Sequence, residues 1–329
     1  MINDAAEPKE NVLLSVRDLA KFYTLKRGAF GTDSAIVKAL DGVSLKLKSK
    51  ETLAIVGESG SGKSTLGRVI MKLNEPDRGT IEFMGEDITD YSRRQMRSVR
   101  RNMQMVFQDP RSSLNPRMTV EAIVSEPLEV HGKLQRREIR EKVKDLIELV
   151  GLVPGSLQRY AHEFSGGQRQ RVAIARALAL EPRLIVADEA VSALDVSVQA
   201  QVLNLLERLK SEFSLSYLFI SHDMSVVEYF SDRVAVLYLG RIVELASTKD
   251  VFTNPQHPYT RALIAATPVV DPRREGRTKA LEGEIPSPLS PPSGCPFHTR
   301  CPIAVAKCRE CAPQLVELAP SHFVACPEV

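Results

Sequence analysis

TLAIVGESGSGKSTLGRVIMKL, Thr52–Leu73, decides how the rest of the chain is read. Thr52–Gly57 is a short apolar run of strand type, and a helical pattern runs from Lys63 to Leu73. Between them GESGSGKST, Gly57–Thr65, fits the phosphate-loop spacing GxxxxGK[ST], with a strand before it and a helix after it. The spacing has a physical basis. Gly57, Ser59, Gly60, Ser61 and Gly62 are small, so successive backbone N–H groups can turn inward around phosphate oxygens. The N-terminus of the following helix adds a favourable dipole. Lys63 supplies a point charge for the β- and γ-phosphates and Ser64 a hydroxyl ligand for Mg²⁺, and Thr65, next in the chain, is expected to bind ATP with them. ATP and Mg²⁺ are the expected cofactors.

Outward from this loop, strand signals recur at Val12–Arg17 (VLLSVR), Leu184–Ala187 (LIVA), Tyr217–Ile220 (YLFI) and Val234–Leu237 (VAVL). A long helical pattern fills 196–213. Strands alternating with helices indicate an α/β fold with a parallel sheet. Residues of about 110–165 differ in texture: a turn-rich opening, DPRSSLNPRMT, leads to a basic helix. Its apolar residues Val143, Leu146, Ile147 and Val150 share one face, and Gly151 stops it. This block reads as a helical insert. Beyond Pro255 the chain becomes proline-punctuated and leads to a cysteine-rich tail.

Composition bounds the function. A chain of 329 residues with 43% hydrophobic and 26% charged residues can bury a large core without disulfides. A net charge of +3, 5% aromatics and no Trp give no support to a nucleic-acid partner. The N-terminus lacks a basic-then-apolar export pattern, and no long uncharged apolar run is present. The expected home is cytosolic, where thiols stay reduced unless they hold a metal or do redox chemistry.

Two further motifs carry chemistry. In LIVADEA, Leu184–Ala190, an apolar strand ends in adjacent acids, which gives a Mg²⁺-side carboxylate a buried, rigid support. Asp188 would hold the Mg²⁺ shell, and Glu189 would polarise the attacking water as general base. In FSGGQRQRVAIARAL, Phe164–Leu178, Ser165, Gly166, Gly167 and Gln168 open a long helix and form a second anion-seeking helix start.

That last motif resembles the signature sequence of ABC-type ATPases, with Phe164 in the usual leucine place. The resemblance covers essentially the whole chain. It implies a P-loop NTPase with a parallel-sheet core, an N-terminal antiparallel β subdomain, a helical insert and a small cysteine-containing C-terminal extension. The nucleotide-binding domain would span 1–254, with its helical subdomain at about 110–165, and the extension 255–329. It implies that two such domains pack head to tail, each signature covering ATP on its partner's P-loop. Gln108 in MVFQDP resembles the Q-loop glutamine that contacts Mg²⁺ or water, SALD with Asp195 the D-loop, and His222 in FISHD the switch histidine. Tyr23 stands where the family stacks a ring on adenine, with Phe22 as the other candidate.

VFQDPRSSLNPR, ADEAVSALDVSVQAQVLNLL, NPQHPYTRALIAATP and the cysteine tail narrow the resemblance to ATP-binding subunits of dipeptide/oligopeptide importers, nearest the second, F-type, subunit. The implied partners are two membrane permease subunits, a second related ATPase subunit and, through the permease, an extracytoplasmic peptide-binding protein. The implied location is peripheral, on the cytoplasmic face of the inner membrane. Rival readings are import of other cargo (a nickel complex, an opine, a sugar) and a soluble ABC ATPase acting on DNA or ribosomes. A third is a vestigial, non-catalytic subunit, against which intact Lys63, Asp188, Glu189 and His222 speak. Ala190 departs from the family, which usually has proline there, and hydrolysis is expected to survive the change.

Five cysteines lie in the tail. Cys295, Cys301, Cys308 and Cys311 are spaced C-x5-C-x6-C-x2-C, and Cys326 follows. That run fits neither paired zinc knuckles nor a common ferredoxin pattern. The family resemblance selects Cys295, Cys301, Cys308 and Cys326 and implies a [4Fe–4S] cluster, with Zn²⁺ or an unmetallated packed tail as alternatives.

Overall fold

A computed structural model describes residues 11–27, 33–132, 134–267 and 283–329. The first ten residues, read above for an export address, and the part of the proline-punctuated connector within 268–282 lie outside them. The chain divides into two compact units: one holds residues up to 89 together with those from 221 on, the other residues 90–220.

The first unit opens with β1 (Val12–Arg27), β2 (Asp33–Lys48), β3 (Thr52–Val56), α1 (Lys63–Ile70), β4 (Arg78–Phe83) and β5 (Glu86–Asp87). β1, β2, β4 and β5 form an antiparallel sheet in the order β2-β1-β4-β5. Leu14, Val16, Leu45 and Leu47 give it a buried face. β1 runs well past the expected Arg17, because Asp18 takes φ +48° and resets the pairing with β2 between Val16 and Leu19. α1 stops three residues short of the expected Leu73, where Lys72 turns to φ +52°.

The second unit contains α2 (Met96–Asn102), β6 (Met103–Val106), α3 (Pro110–Ser113), α4 (Val120–His131), α5 (Arg136–Leu149), α6 (Gly166–Leu178), β7 (Leu184–Asp188), α7 (Val196–Phe213) and β8 (Ser216–Ile220). β7 pairs in parallel with β6 on one side and β8 on the other, Val186 standing opposite Met105 and Leu218. Every residue of β7 and β8 is buried, as expected of parallel strands covered on both faces. In α5 the face carrying Val143, Leu146 and Ile147 is buried, and Gly151, at φ +75°, ends the helix as the spacing predicts.

The chain then returns to the first unit through α8 (Met224–Phe230), β9 (Arg233–Tyr238), β10 (Arg241–Ser247), α9 (Thr248–Thr253), α10 (Pro258–Ala265), α11 (Lys307–Glu310), β11 (Val316–Ala319) and β12 (His322–Val324). β9 lies parallel to β3, Ile55 opposite Ala235, and the antiparallel strands β10, β12 and β11 extend this sheet outward. Among the described residues no helix is long and apolar enough to cross a membrane.

Candidate nucleotide site

The phosphate loop follows β3, whose five buried residues anchor it. Gly62 caps α1 at φ +106°, and a Cβ there would sit 2.3 Å from the Ala39 carbonyl, so only glycine fits. No side chain caps α1, which leaves its N-terminal end suited to an anion. Lys63 is buried, and its Nζ donates to the carbonyls of Gly57 (2.8 Å) and Glu58 (2.9 Å). Ser61 is held by its backbone, its carbonyl accepting from Gly240 N at 2.8 Å. Its buried Oγ has no hydrogen-bond partner, as expected of a group awaiting a polar ligand. Ser59 and Gly60 form the exposed tip, and Ser64 and Thr65 sit half-buried in the first turn of α1.

Two other expected residues belong to the same unit. Tyr23 is half-buried on β1; its hydroxyl accepts from Asn74 Nδ2 at 2.8 Å, and Lys21 lies over its ring. His222 is exposed just before α8, between Ser221, whose amide donates to Ile55 O, and Asp223, which caps α8.

In the second unit Asp188 ends β7 almost wholly buried. Glu189 follows at φ +46°, a left-handed conformation that costs a non-glycine residue about 1–3 kcal/mol. Its amide donates to Ile220 O, and its carboxylate accepts from Gln108 Nε2 at 2.6 Å. The structure thus joins Gln108 and Glu189 directly. Ser165 and Gln168 close a reciprocal capping box at the start of α6 and are exposed. Gly167 packs so closely that a Cβ would meet Val198 Cγ1 at 2.3 Å, and Gly166 faces Leu194. The signature therefore abuts the segment around Asp195, which caps α7. Hydrogen bonds from Val198 N and then Ser197 hold the Asp195 carboxyl below its usual range.

The geometry has its counterpart in known proteins. An ABC transporter family model matches residues 40–192, and a model for the C-terminal region of oligopeptide/dipeptide transporters matches 243–308. The oligopeptide transport ATP-binding protein AppF of Bacillus subtilis is 54% identical, over 96% of this chain and 97% of its own. OppF of Salmonella typhimurium is 50% identical over 99% of both. The chain belongs to the ATP-binding subunits of oligopeptide ABC transporters. The fold of this ABC ATPase is shared with solved cassettes. CbiO1 of Clostridium perfringens, part of an ABC transporter complex, superposes with a TM-score of 0.64 at 31% identity, covering 74% of this chain and 92% of that one. A dimeric ATP-binding cassette bound to ADP and Pi gives 0.63 at 29%, covering 72% and 99%. ATP is the ligand, and its hydrolysis the reaction, of such a P-loop ATPase.

In the C-terminal region of the ABC ATPase all five cysteines are free thiols. Burial pushes Cys295, Cys301 and Cys326 up, and neighbouring thiols add to it: Cys308, Cys326 and Cys301 around Cys295, and Cys308 beside Cys326. Cys295 N donates to Cys308 O at 2.8 Å, which ties those two residues together. Cys311 is exposed. By type, four soft sulfurs suit iron or zinc. As arranged they do not yet form a ligand set: among the described residues, no three His, Cys, Asp or Glu side chains are placed to hold a metal ion.

Sequence reading passed over three polar residues of this unit. Glu244, wholly buried on β10, accepts from Gln256 N, His257 N and His322 Nε2. Glu58 and Arg300 form a bidentate pair. Neither arrangement leaves a periodic signal. An arginine set between two cysteines, in CPFHTRC, was the only hint.

Proposed function

We propose that this ABC ATPase powers uptake of di- and oligopeptides through a membrane importer, as a peripheral subunit on the cytoplasmic face of the inner membrane. The observation that carries the reading is the pairing, in one chain, of the ABC match at 40–192 with the peptide-transporter C-terminal match at 243–308. Near-full-length relatives named for oligopeptide transport support it. Two permease subunits, a second related ATPase and, through the permease, an extracytoplasmic peptide-binding protein complete the assembly.

Each residue receives a role. Tyr23 stacks on adenine. The loop residues Gly57, Ser59, Gly60, Ser61, Gly62, Ser64 and Thr65 and the Lys63 ammonium hold the phosphates. Ser64, Asp188 and Gln108 would hold Mg²⁺, which supplies neutralisation of charge on the β- and γ-phosphates. Glu189, oriented by the Gln108 amide, takes the proton of the attacking water, and His222 donates a hydrogen bond to the γ-phosphate. Ser165, Gly166, Gly167 and Gln168, with Asp195, act on ATP held by the partner ATPase, so head-to-tail dimerisation couples binding to motion. Cys295, Cys301, Cys308 and Cys326 would draw together around a [4Fe–4S] cluster, with Zn²⁺ as the alternative; no step of hydrolysis depends on them. Iron, sulfide and zinc analysis of anaerobically purified protein decides between these and bare thiols.

Glu189→Gln tests the core of the reading. ATP binding should persist, while hydrolysis and ATP-driven peptide uptake by the reconstituted importer fall by about 10²–10⁴-fold. Retained full turnover would remove Glu189 from its role.

A further inference from the structure

Glu58, the residue after the first glycine of the phosphate loop, is fixed at every polar group it has. Its N–H donates to the Tyr259 hydroxyl at 2.8 Å. Its carbonyl accepts from Lys63 Nζ at 2.9 Å and from Ser61 N at 3.2 Å. Its carboxylate accepts two parallel bonds from Arg300, 2.7 Å from Nη1 and 3.0 Å from Nη2. The pair joins residues 242 positions apart. The Arg300 side chain is only 4% exposed, against 24% for Glu58. A planar fork on a carboxylate fixes direction as well as distance, which a lysine cannot reproduce.

Arg300 is itself rigidly mounted. Its N–H donates to Phe297 O at 3.0 Å. The Phe297 ring is buried edge-on to Tyr238, with centroids 5.3 Å apart, and tilted against Tyr259 at 5.4 Å. Tyr259, the acceptor of the Glu58 N–H, therefore belongs to the same aromatic cluster that seats the arginine. The C-terminal segment thus grips one loop residue from two sides. That residue's carbonyl is also the dock of Lys63.

We propose that Arg300 is a positioning residue for nucleotide binding: through Glu58 it holds the phosphate loop, and with it Lys63, in the shape that receives the phosphates. This rests on the reading that the loop holds the nucleotide. The C-terminal segment is then a working part of the ATP site rather than an appendage behind it.

Equilibrium binding of a slowly hydrolysed ATP analogue with Mg²⁺ to the full chain tests the proposal. Glu58→Gln and Arg300→Met are each expected to weaken binding about tenfold, and Arg300→Lys, which keeps the charge without the fork, about threefold. Combined, Glu58→Gln and Arg300→Met should cost no more than either alone, since both remove one interaction. Glu58→Gln leaves the buried Arg300 charge without a counter-ion, so its melting temperature falls, and binding is read well below that temperature, where the variant is folded. Wild-type affinity in Glu58→Gln and Arg300→Met, or additive losses in the pair, would overturn the proposal. Lys63→Ala separates the two readings. If it abolishes binding while the Glu58 and Arg300 variants bind normally, the clamp alone fails. If it binds normally too, the reading of the loop as the nucleotide site fails with it.

Discussion

At the residue scale, two left-handed conformations fall where chemistry is proposed. Glu189 holds φ +46° with its carboxylate on Gln108, and Gly62 holds φ +106° against the Ala39 carbonyl. His257 is a different case. It is buried, its Nδ1 accepts from Tyr259 N at the start of α10, and burial, aided by the Arg261 charge, pushes its pKa down to about 3. The unfolded ring takes up a proton near pH 6.5 and the folded ring does not, so protonation favours the unfolded chain. Stability carried by neutral His257 is complete above pH 6.5 and is lost as pH falls toward 3, at about 1.4 kcal/mol per pH unit. Urea unfolding at pH 7 and pH 5.5 should show this loss. His257→Asn, which retains a capping acceptor without a titrating ring, should make the pH dependence shallower.

At the level of elements, legibility followed burial. β3, β7, β8 and β9 are continuous apolar runs because neighbours cover both faces, and such runs are visible in sequence. α7 came out with the bounds its pattern implied, 196–213. The far half of β1 was not legible, since Asp18 shifts the register and breaks the alternation on which the reading depends. The strand–loop–helix setting of Gly57–Thr65 and the place of Asp188 at the end of β7 were legible, because each adjoins a continuous apolar run. Glu244 was not: its partners Gln256, His257 and His322 come from the two residues before α10 and from β12, and only the folded chain brings them to β10. Removing that carboxylate would leave three donors unpaired in a dry site. Glu244→Ala should therefore cost about 3 kcal/mol in denaturant unfolding, with early release of β11 and β12 detectable by hydrogen exchange. A loss below about 1 kcal/mol would mean that water replaces the carboxylate.

At the scale of the whole molecule, one chain carries one phosphate loop and one signature, and the signature's Ser165 and Gln168 are exposed. If each signature serves a partner's ATP, turnover per chain should rise with protein concentration across a dilution series of about a hundredfold. Adding excess Ser165→Arg chain should depress it. A flat profile would argue that one chain hydrolyses ATP unaided.

The discontinuity of the first unit reaches back to the ribosome. β3, which carries the phosphate loop, pairs with β9, and Thr52 bonds Asp232 across 180 residues of sequence. At about 5–20 residues per second, roughly 10–40 s of synthesis separate the strand from its neighbour. During that interval LAIV lacks β9 as a neighbour, and an unpaired apolar strand is the kind of segment that aggregates or recruits a chaperone. Arg300 emerges later still, so the loop's outer clamp is among the last contacts the nascent chain can make.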